Sequence, residues 1–168
     1  MRNISWIIVR AVEHCNLACK NCNANSQVIK TKKEYQASEY FEGLDLMFEN
    51  GFDLKYIVIV GGEPFLHKNL EKFICDLKER YKKIKIKIFT NGFWIKSLKT
   101  IKKHESIINN VEEIHLSIYK NFPHESFENI KYIANNFNVI ITPTKTDKFV
   151  KMEFYKLIRI RIIDTSNP

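Results

Sequence analysis

Short apolar runs alternate with amphipathic segments along most of this chain, and few folds are compatible with that order. The apolar runs occupy residues 4–12, 56–60, 84–90, 113–119 and 139–142. Short continuous apolar runs are typical of parallel strands that are covered on both faces. Segments with helical spacing follow them at residues 38–51, 70–81, 96–109 and 126–137. Repeated strand–helix units predict an α/β fold with a parallel sheet and right-handed crossovers.

The length favours a single domain over residues 1–168, which is long enough to bury a core without disulfides. Ser38 and Ser126 are placed to cap the first and last helices, and Gly51 is placed to end the first one. A further strand is expected at residues 157–163. The sheet would then hold five to six strands.

Three of the four cysteines fall within eight positions, at Cys15, Cys19 and Cys22, directly after the first strand. Thiolates on one loop favour soft metals such as zinc, copper(I) or iron in iron–sulfur clusters. A structural zinc site needs four closed ligands, and no fourth cysteine or histidine follows at a usual spacing. Three protein ligands on a four-iron cluster would leave one iron open to an exogenous ligand. Cys75 lies within a helical segment and indicates a small, partly buried thiol.

Polar and glycine residues also mark the ends of the next three strands. They are Gly61, Gly62, Glu63 and Pro64 after the second strand, Thr90 and Asn91 after the third, and Ser117 on the fourth. Paired glycines let a backbone approach a ligand closely, and proline fixes the exit from the strand. The carboxyl ends of parallel strands are where barrel enzymes build their sites.

The cysteine spacing and these strand-end motifs resemble those of the radical S-adenosylmethionine (radical SAM) enzymes, over roughly residues 4–142. The resemblance implies an incomplete parallel (β/α) barrel of about five to six βα units, a partial TIM barrel. It implies that Cys15, Cys19 and Cys22 bind a 4Fe–4S cluster whose open iron is chelated by SAM. Reductive cleavage of SAM would then give a 5′-deoxyadenosyl radical, which abstracts a hydrogen atom from the substrate.

The same resemblance assigns the SAM contacts. It places four residues near the amino group of SAM: Gly61, Gly62, Glu63 and Pro64. It places three near the ribose or carboxylate of SAM: Thr90, Asn91 and Ser117. Asn21 is a departure, since the family commonly has an aromatic residue there, against the adenine. We also expect Gly62→Val to weaken SAM binding and to spare the cluster, because the cysteine loop is a separate segment.

The substrate and the residue that exchanges the final hydrogen stay unknown at this stage. Family members modify peptides, proteins or carbohydrates, or activate glycyl-radical enzymes, and a low-potential donor such as flavodoxin or ferredoxin would supply the electron. No cysteine-rich extension is present, so auxiliary clusters are not expected. Three alternatives stay open: a non-catalytic iron–sulfur electron carrier, a zinc-stabilised module, and a degenerate relative truncated at its C-terminus.

Charge and hydropathy restrict the partners. The formal net charge is +8, but the lysines are scattered, and no basic patch interleaved with aromatic residues and no nucleic-acid motif accompanies them. This pattern favours a solvated surface over a nucleic-acid site. No apolar run reaches about 18 residues and no leader peptide is recognisable, so we expect a cytoplasmic protein without a membrane partner.

The third strand leaves one question open. In residues 84–90 the isoleucines share a face with Thr90, and Lys85 and Lys87 share the other. If Thr90 faces the cofactor, the lysines must extend between helices or a bulge must shift the register. His115 is interpreted as structural, and Trp6 and Trp94 as core or rim residues.

Overall fold

The computed structural model of the protein describes residues 2–20, 22–117 and 125–144. The strands are β1 (Arg2–Val12), β2 (Phe52–Gly61), β3 (Lys85–Thr90), β4 (Glu113–Ser117) and β5 (Ile140–Thr144). The helices are α1 (Phe41–Glu49), α2 (Leu70–Arg80), α3 (Leu98–Lys103), α4 (Glu105–Asn109) and α5 (Glu125–Asn136). Within these ranges, no helix has the length and apolar character needed to cross a membrane.

The strands form one parallel sheet in the order β1-β2-β3-β4-β5. Each strand is added beside the previous one, and crossovers between parallel strands keep the same hand, so all the helices lie on one face of the sheet. Helix and strand residues of that face form a single core. The fully buried strand residues of the core are Val9, Ala11, Ile57, Ile59, Ile86, Ile88, Ile114 and Leu116. The predicted α/β fold with the sheet of an incomplete barrel is confirmed, while the strand expected at 157–163 lies outside the described residues.

Among the described residues, no helix packs on the opposite face of the sheet. Side chains there are far more exposed than an interior strand would allow, with Trp6 at 56%, Ile8 at 55% and Phe89 at 37%. Cover on both faces was expected for residues 56–60; the described helices cover one face only, although Val58 on the other face is just 5% exposed. Helices cover one face only, because the crossovers never change sides.

Lys87 belongs to this uncovered face. Ile86, Ile88 and Thr90 point towards the helices and are buried, whereas Lys87 points away from them. Neither of the two arrangements considered for the lysines is needed, since β3 pairs regularly with β2 and β4. Thr90 is buried at the carboxyl end of β3 and still borders the cavity, so both Thr90 and Lys87 lie next to it without a shift in register.

Local helix signals are only partly confirmed. Gly51 ends the first helical segment with φ +77°. Ser38 does not cap it: the residue lies inside a 3-10 turn, Ala37–Tyr40, whose preceding Gln36 N–H donates to the Glu39 side chain at 2.7 Å. Ser126 likewise lies inside α5 and is buried.

Two further expectations about helices need correction. The segment 96–109 forms α3 and α4 rather than one helix, and at the break the ring of His104 packs edge-on against Phe65 and Trp94. Cys75 lies on α2 as expected, but it is exposed rather than partly buried.

The two faces of the sheet can be compared with one substitution. Ile59 and Ile8 lie on neighbouring strands, and their side chains are 0% and 55% exposed. We expect Ile59→Ala to lower the free energy of unfolding by about 2–5 kcal/mol, since it leaves a cavity in the core. Ile8→Ala should change it by less than about 1 kcal/mol. Urea unfolding of both variants measures this, and equal losses would contradict the assignment of faces.

Candidate functional site

The uncovered face of the sheet and the carboxyl ends of its strands border a cavity of about 640 Å³. Its lining includes nine of the ten site residues predicted from the sequence: Cys15, Cys19, Cys22, Gly61, Gly62, Glu63, Thr90, Asn91 and Ser117. Pro64 is buried beside them as the first residue of a 3-10 turn, Pro64–Leu66. Residues from the ends of three strands, β2, β3 and β4, and from the cysteine loop that follows β1 (residues 13–23) therefore meet in one place.

The cysteine loop is held by the segment that follows it. Residues 31–36 return alongside β1, where Tyr35 N–H donates to the Ala11 carbonyl at 2.9 Å and Glu13 N–H donates to the Lys33 carbonyl at 3.0 Å. The Glu13 carboxylate accepts hydrogen bonds from the hydroxyls of Thr31 and Tyr35, which lower its pKa. Both ends of the loop are thus fixed to the sheet.

The glycines at the end of β2 lie against the backbone of the cysteine loop. Gly62 N–H donates to the Val12 carbonyl at 2.8 Å, and Glu63 N–H donates to the His14 carbonyl at 3.0 Å. A Cβ atom added at Gly62 would lie 1.9 Å from the His14 oxygen, and one at Gly61 would lie 2.2 Å from the Val12 oxygen. The loop and the strand end are one packed unit. The premise that they are separate segments is wrong, and we now expect Gly62→Val to disturb the cysteine loop as well.

Glu63 joins two strand ends through a buried carboxylate that is 3% exposed. Its Oε1 accepts the Thr90 hydroxyl at 2.6 Å and the Phe65 N–H at 3.1 Å, and its Oε2 accepts the Asn91 N–H at 2.7 Å. Burial raises the pKa of Glu63 to about 7, although the three donors favour the ionised form. The carboxylate therefore fixes β3 relative to β2.

The Thr90 hydroxyl has no capacity left for a cofactor. It accepts hydrogen bonds from Gly92 N–H at 3.1 Å and from Trp94 Nε1–H at 3.2 Å, so its single proton must go to Glu63. Thr90 itself is 3% exposed. In this structure the side chain of Thr90 orients Glu63, and the SAM contact that the sequence suggested stays a prediction.

Asn91 reaches the cysteine loop. Its side-chain amide donates to Asn16 Oδ1 at 2.7 Å and lies 3.7 Å from Cys15 Sγ, which also accepts Leu17 N–H at 3.4 Å. Asn91 is buried, and its own backbone N–H is bound to Glu63. A chain of contacts therefore runs from the end of β2 through β3 to the first cysteine.

The three thiols differ in their surroundings. Burial raises the pKa of Cys15. Burial also acts to raise the pKa of Cys22, but N–H groups of Ser26, Ala24 and Asn25 and the Ser26 hydroxyl outweigh it, and the net shift is downward. Hydrogen-bond donors that stabilise a thiolate also suit a metal ligand.

The number of these thiols fits an iron–sulfur cluster with one open iron. Three thiols from one loop border the cavity, one ligand fewer than a closed structural zinc site needs. Zinc requires its sulfur ligands about 2.3 Å away around one point, whereas a four-iron cluster accepts each thiolate on a different iron. His14 Nδ1, next to Cys15, is buried and has no hydrogen-bond partner in the described part of the chain. Three thiols around one cavity are the donor set that a cluster needs.

Several charged residues of the cavity were missed from the sequence. Arg10 and Lys87 line it, and His115, which was interpreted as structural, lines it too. Glu113 forms ion pairs with Lys87 and His115 at 2.9 and 2.8 Å. The period-two pattern of residues 84–90 carried the signal, because it placed the lysines on the face opposite to the buried isoleucines.

Comparison with known proteins agrees with the geometry. The profile of the Radical SAM superfamily matches residues 9–146. GTP 3′,8-cyclase of Helicobacter pylori (strain ATCC 700392 / 26695) is 30% identical over 99 residues, which are 58% of this chain and 30% of that protein. YydG of Bacillus subtilis (strain 168), a protein named for peptide biosynthesis, is 28% identical over 121 residues, 72% of this chain and 37% of that protein.

Solved structures show the same fold. BtrN in complex with AdoMet and 2-DOIA gives a TM-score of 0.62 at 19% identity, over 85% of this chain and 58% of that chain. SuiB of Streptococcus suis bound to S-adenosylmethionine gives 0.66 at 19% identity, over 95% of this chain and 39% of that chain. The chain therefore covers well under two thirds of each of these proteins.

The packing between Gly62 and the cysteine loop can be tested with a matched pair of glycines. Gly62→Ala places a methyl group on the His14 carbonyl, and we expect it to lower the free energy of unfolding by on the order of 3 kcal/mol. Gly43 lies in α1 with nothing within 4 Å of an added Cβ, so Gly43→Ala should stabilise the protein by roughly 0.5–1 kcal/mol. Denaturant unfolding of the metal-free protein measures both. A neutral Gly62→Ala would show that the two segments do not pack together.

Proposed function

Because the chain belongs to the radical SAM superfamily, we propose that Cys15, Cys19 and Cys22 hold a 4Fe–4S cluster and that SAM binds beside it in the cavity. The observation that carries this proposal is that three thiols and the glycine-rich end of β2 line one cavity. When bound, these two groups supply one-electron cleavage of SAM and a 5′-deoxyadenosyl radical that takes a hydrogen atom from the substrate. The substrate is then modified against the uncovered face of the sheet.

The residues around the cavity hold the site rigid. The contacts of Gly61 and Gly62 with β1 fix the position of the first cysteine, and Glu63 fixes the end of β3. Asn91 directs an N–H group towards Cys15 Sγ. Hydrogen bonds to cluster sulfurs raise the reduction potential of a cluster, so Asn91 would ease its reduction. Ser117, at the cavity end of β4, remains the proposed side-chain contact to SAM.

Two of the alternative functions fit the described residues less well. A closed electron carrier would bind its cluster through four protein ligands. The fourth cysteine, Cys75, is exposed on α2 and does not line the cavity. A structural zinc site is closed by four ligands, whereas the described part of the cysteine loop brings three thiols to the cavity. Of the three kinds of metal centre, only a cluster with one open iron needs three thiol ligands.

The same proposal names an electron donor. Reductive cleavage of SAM consumes one electron, which no amino-acid side chain of the cavity supplies. We therefore infer that the electron comes from a separate low-potential protein such as flavodoxin or ferredoxin, in the cytoplasm. The substrate class is a small molecule, a carbohydrate or a peptide, in line with the different names of the relatives.

Single cysteine substitutions test the ligand set. After anaerobic reconstitution with iron and sulfide, we expect Cys15→Ala, Cys19→Ala and Cys22→Ala each to lose the brown iron–sulfur absorbance and the formation of 5′-deoxyadenosine. Cys75→Ala serves as the matched control and should retain both. The assignment is wrong if the Cys75 variant loses its cluster while one of the other three variants keeps it.

A further inference from the structure

The uncovered face of the sheet carries two rows of side chains just below the cysteine loop. Strand pairing aligns Ile8, Val58, Lys87 and Glu113 in one row. Two residues further along the strands, the row nearer the cysteines contains Arg10 and Val60 from one strand pair and Phe89 and His115 from another. We call these eight residues the cavity wall. All of them except Glu113 line the cavity that contains the proposed cluster ligands, and Glu113 contacts two of the lining residues, Lys87 and His115.

One half of the cavity wall is a linked polar cluster. A single oxygen of Glu113, Oε2, lies 2.9 Å from Lys87 Nζ and 2.8 Å from His115 Nε2. Lys87 also lies over the Tyr56 ring at 3.9 Å, and the His115 ring stacks on Phe89 at 4.4 Å. These contacts hold the Lys87 ammonium in the cavity with N–H donors left over, because an ammonium has three.

The other half contains an arginine without a partner. The backbone of Arg10 is bound to the Tyr40 hydroxyl, but its guanidinium makes no hydrogen bond or ion pair in the described part of the chain. Arg10 interacts electrostatically with Glu13, but the Glu13 carboxylate already accepts hydrogen bonds from Thr31 and Tyr35. The five donors of a guanidinium match the oxygens of a carboxylate or phosphate.

The side chains of the cavity wall carry more positive than negative charge. Glu113 offsets one of the two cations, and the carboxylate of Glu63 is sealed among its own three donors. The remaining wall is apolar and open, with Trp6 beside it and Ile8 and Phe89 within it, all partly exposed. A ligand that complements this wall carries an anionic group next to an apolar or aromatic part.

We propose, on the premise that the cavity hosts the function proposed above, that Arg10 and Lys87 bind an anionic group of the substrate, a carboxylate or a phosphate. The apolar residues of the cavity wall then receive the adjoining apolar part. His115 is a positioning residue, since its ring packs on Phe89 and its Nε2 contacts the oxygen that holds Lys87. Substrates with a cationic or a neutral group at this position are selected against.

Small aromatic probes test this selectivity on the reconstituted, SAM-bound protein. Phenyl phosphate and phenylacetate carry the two kinds of anion, benzyl alcohol is neutral and benzylamine is cationic. We expect at least one anionic probe to bind about tenfold more tightly than benzyl alcohol, as one charge-assisted hydrogen bond would give, and benzylamine to bind most weakly. Which anion binds better distinguishes a phosphate-bearing from a carboxylate-bearing substrate. Dissociation constants come from NMR titration.

Substitutions of Lys87 and Arg10 show whether these two cations cause the preference for anionic probes. Lys87→Met and Arg10→Met should each weaken the anionic probe about tenfold and leave benzyl alcohol unchanged. Lys85→Met is the matched control on the same strand, where Lys85 is exposed, and should change neither. Glu113→Gln removes the offsetting charge and should tighten the anionic probe, a gain that misfolding cannot produce.

Measurements of SAM affinity on the same samples separate this proposal from the proposed function. Equal binding of anionic and neutral probes, or an equal loss in the Lys85 variant, would overturn the anion site while SAM binding persists. If Arg10→Met weakens SAM but not the anionic probe, Arg10 serves the cofactor and the proposal is wrong for that residue. If no SAM binds to the wild-type protein, the proposed function itself fails.

Discussion

The backbone of Gly62 lies so close to the backbone of His14 that a single methyl group would overlap the His14 carbonyl. Two hydrogen bonds on either side of this contact, from Gly62 to Val12 and from Glu63 to His14, fix the start of the cysteine loop to the end of β2. The position of the first thiol thus depends on main-chain packing and needs no metal to define it. The glycines therefore hold the cysteine loop in place by direct contact, and through the loop they shape the cavity.

A buried carboxylate extends this unit to the third strand. Glu63 binds the hydroxyl of Thr90 and the backbone of Asn91, and Asn91 in turn contacts the loop near Cys15. Burial raises the pKa of Glu63 to about 7 because it disfavours the ionised carboxylate. The three hydrogen-bond donors around the carboxylate act in the opposite direction and stabilise the ionised form. Two strand ends and one loop form a closed set of contacts on one side of the cavity.

Much of this arrangement could be predicted from the sequence, and the failures have physical reasons. The strand–helix alternation gave the sheet, and the spacing of Cys15, Cys19 and Cys22 gave the loop, because both are local patterns. The partner of Gly62 could not be predicted, since contact between residues far apart in the chain leaves no periodic trace. The alternation of β3 placed Lys87 opposite the buried isoleucines, but it could not show that helices cover only the isoleucine face in the described part of the chain. The helix break at His104 has no sequence signal that we recognise.

The open face of the sheet follows from the sequential strand order, which keeps every helix on the other side. This leaves a wall of exposed apolar and charged side chains beside the cysteines, where a substrate can approach the proposed cofactor. Stability and binding therefore use opposite faces of the same strands. A substitution on one face should leave the other largely intact.

Electron paramagnetic resonance of the reduced, anaerobic protein tests most directly whether three thiolates hold a cluster with an open iron. We expect SAM to change the spectrum of the reduced cluster, because SAM would coordinate the iron that no protein thiolate occupies. S-adenosylhomocysteine, which lacks the sulfonium charge, gives a control for binding without cleavage. A spectrum unchanged at saturating SAM would contradict an open iron and would indicate a closed four-ligand cluster.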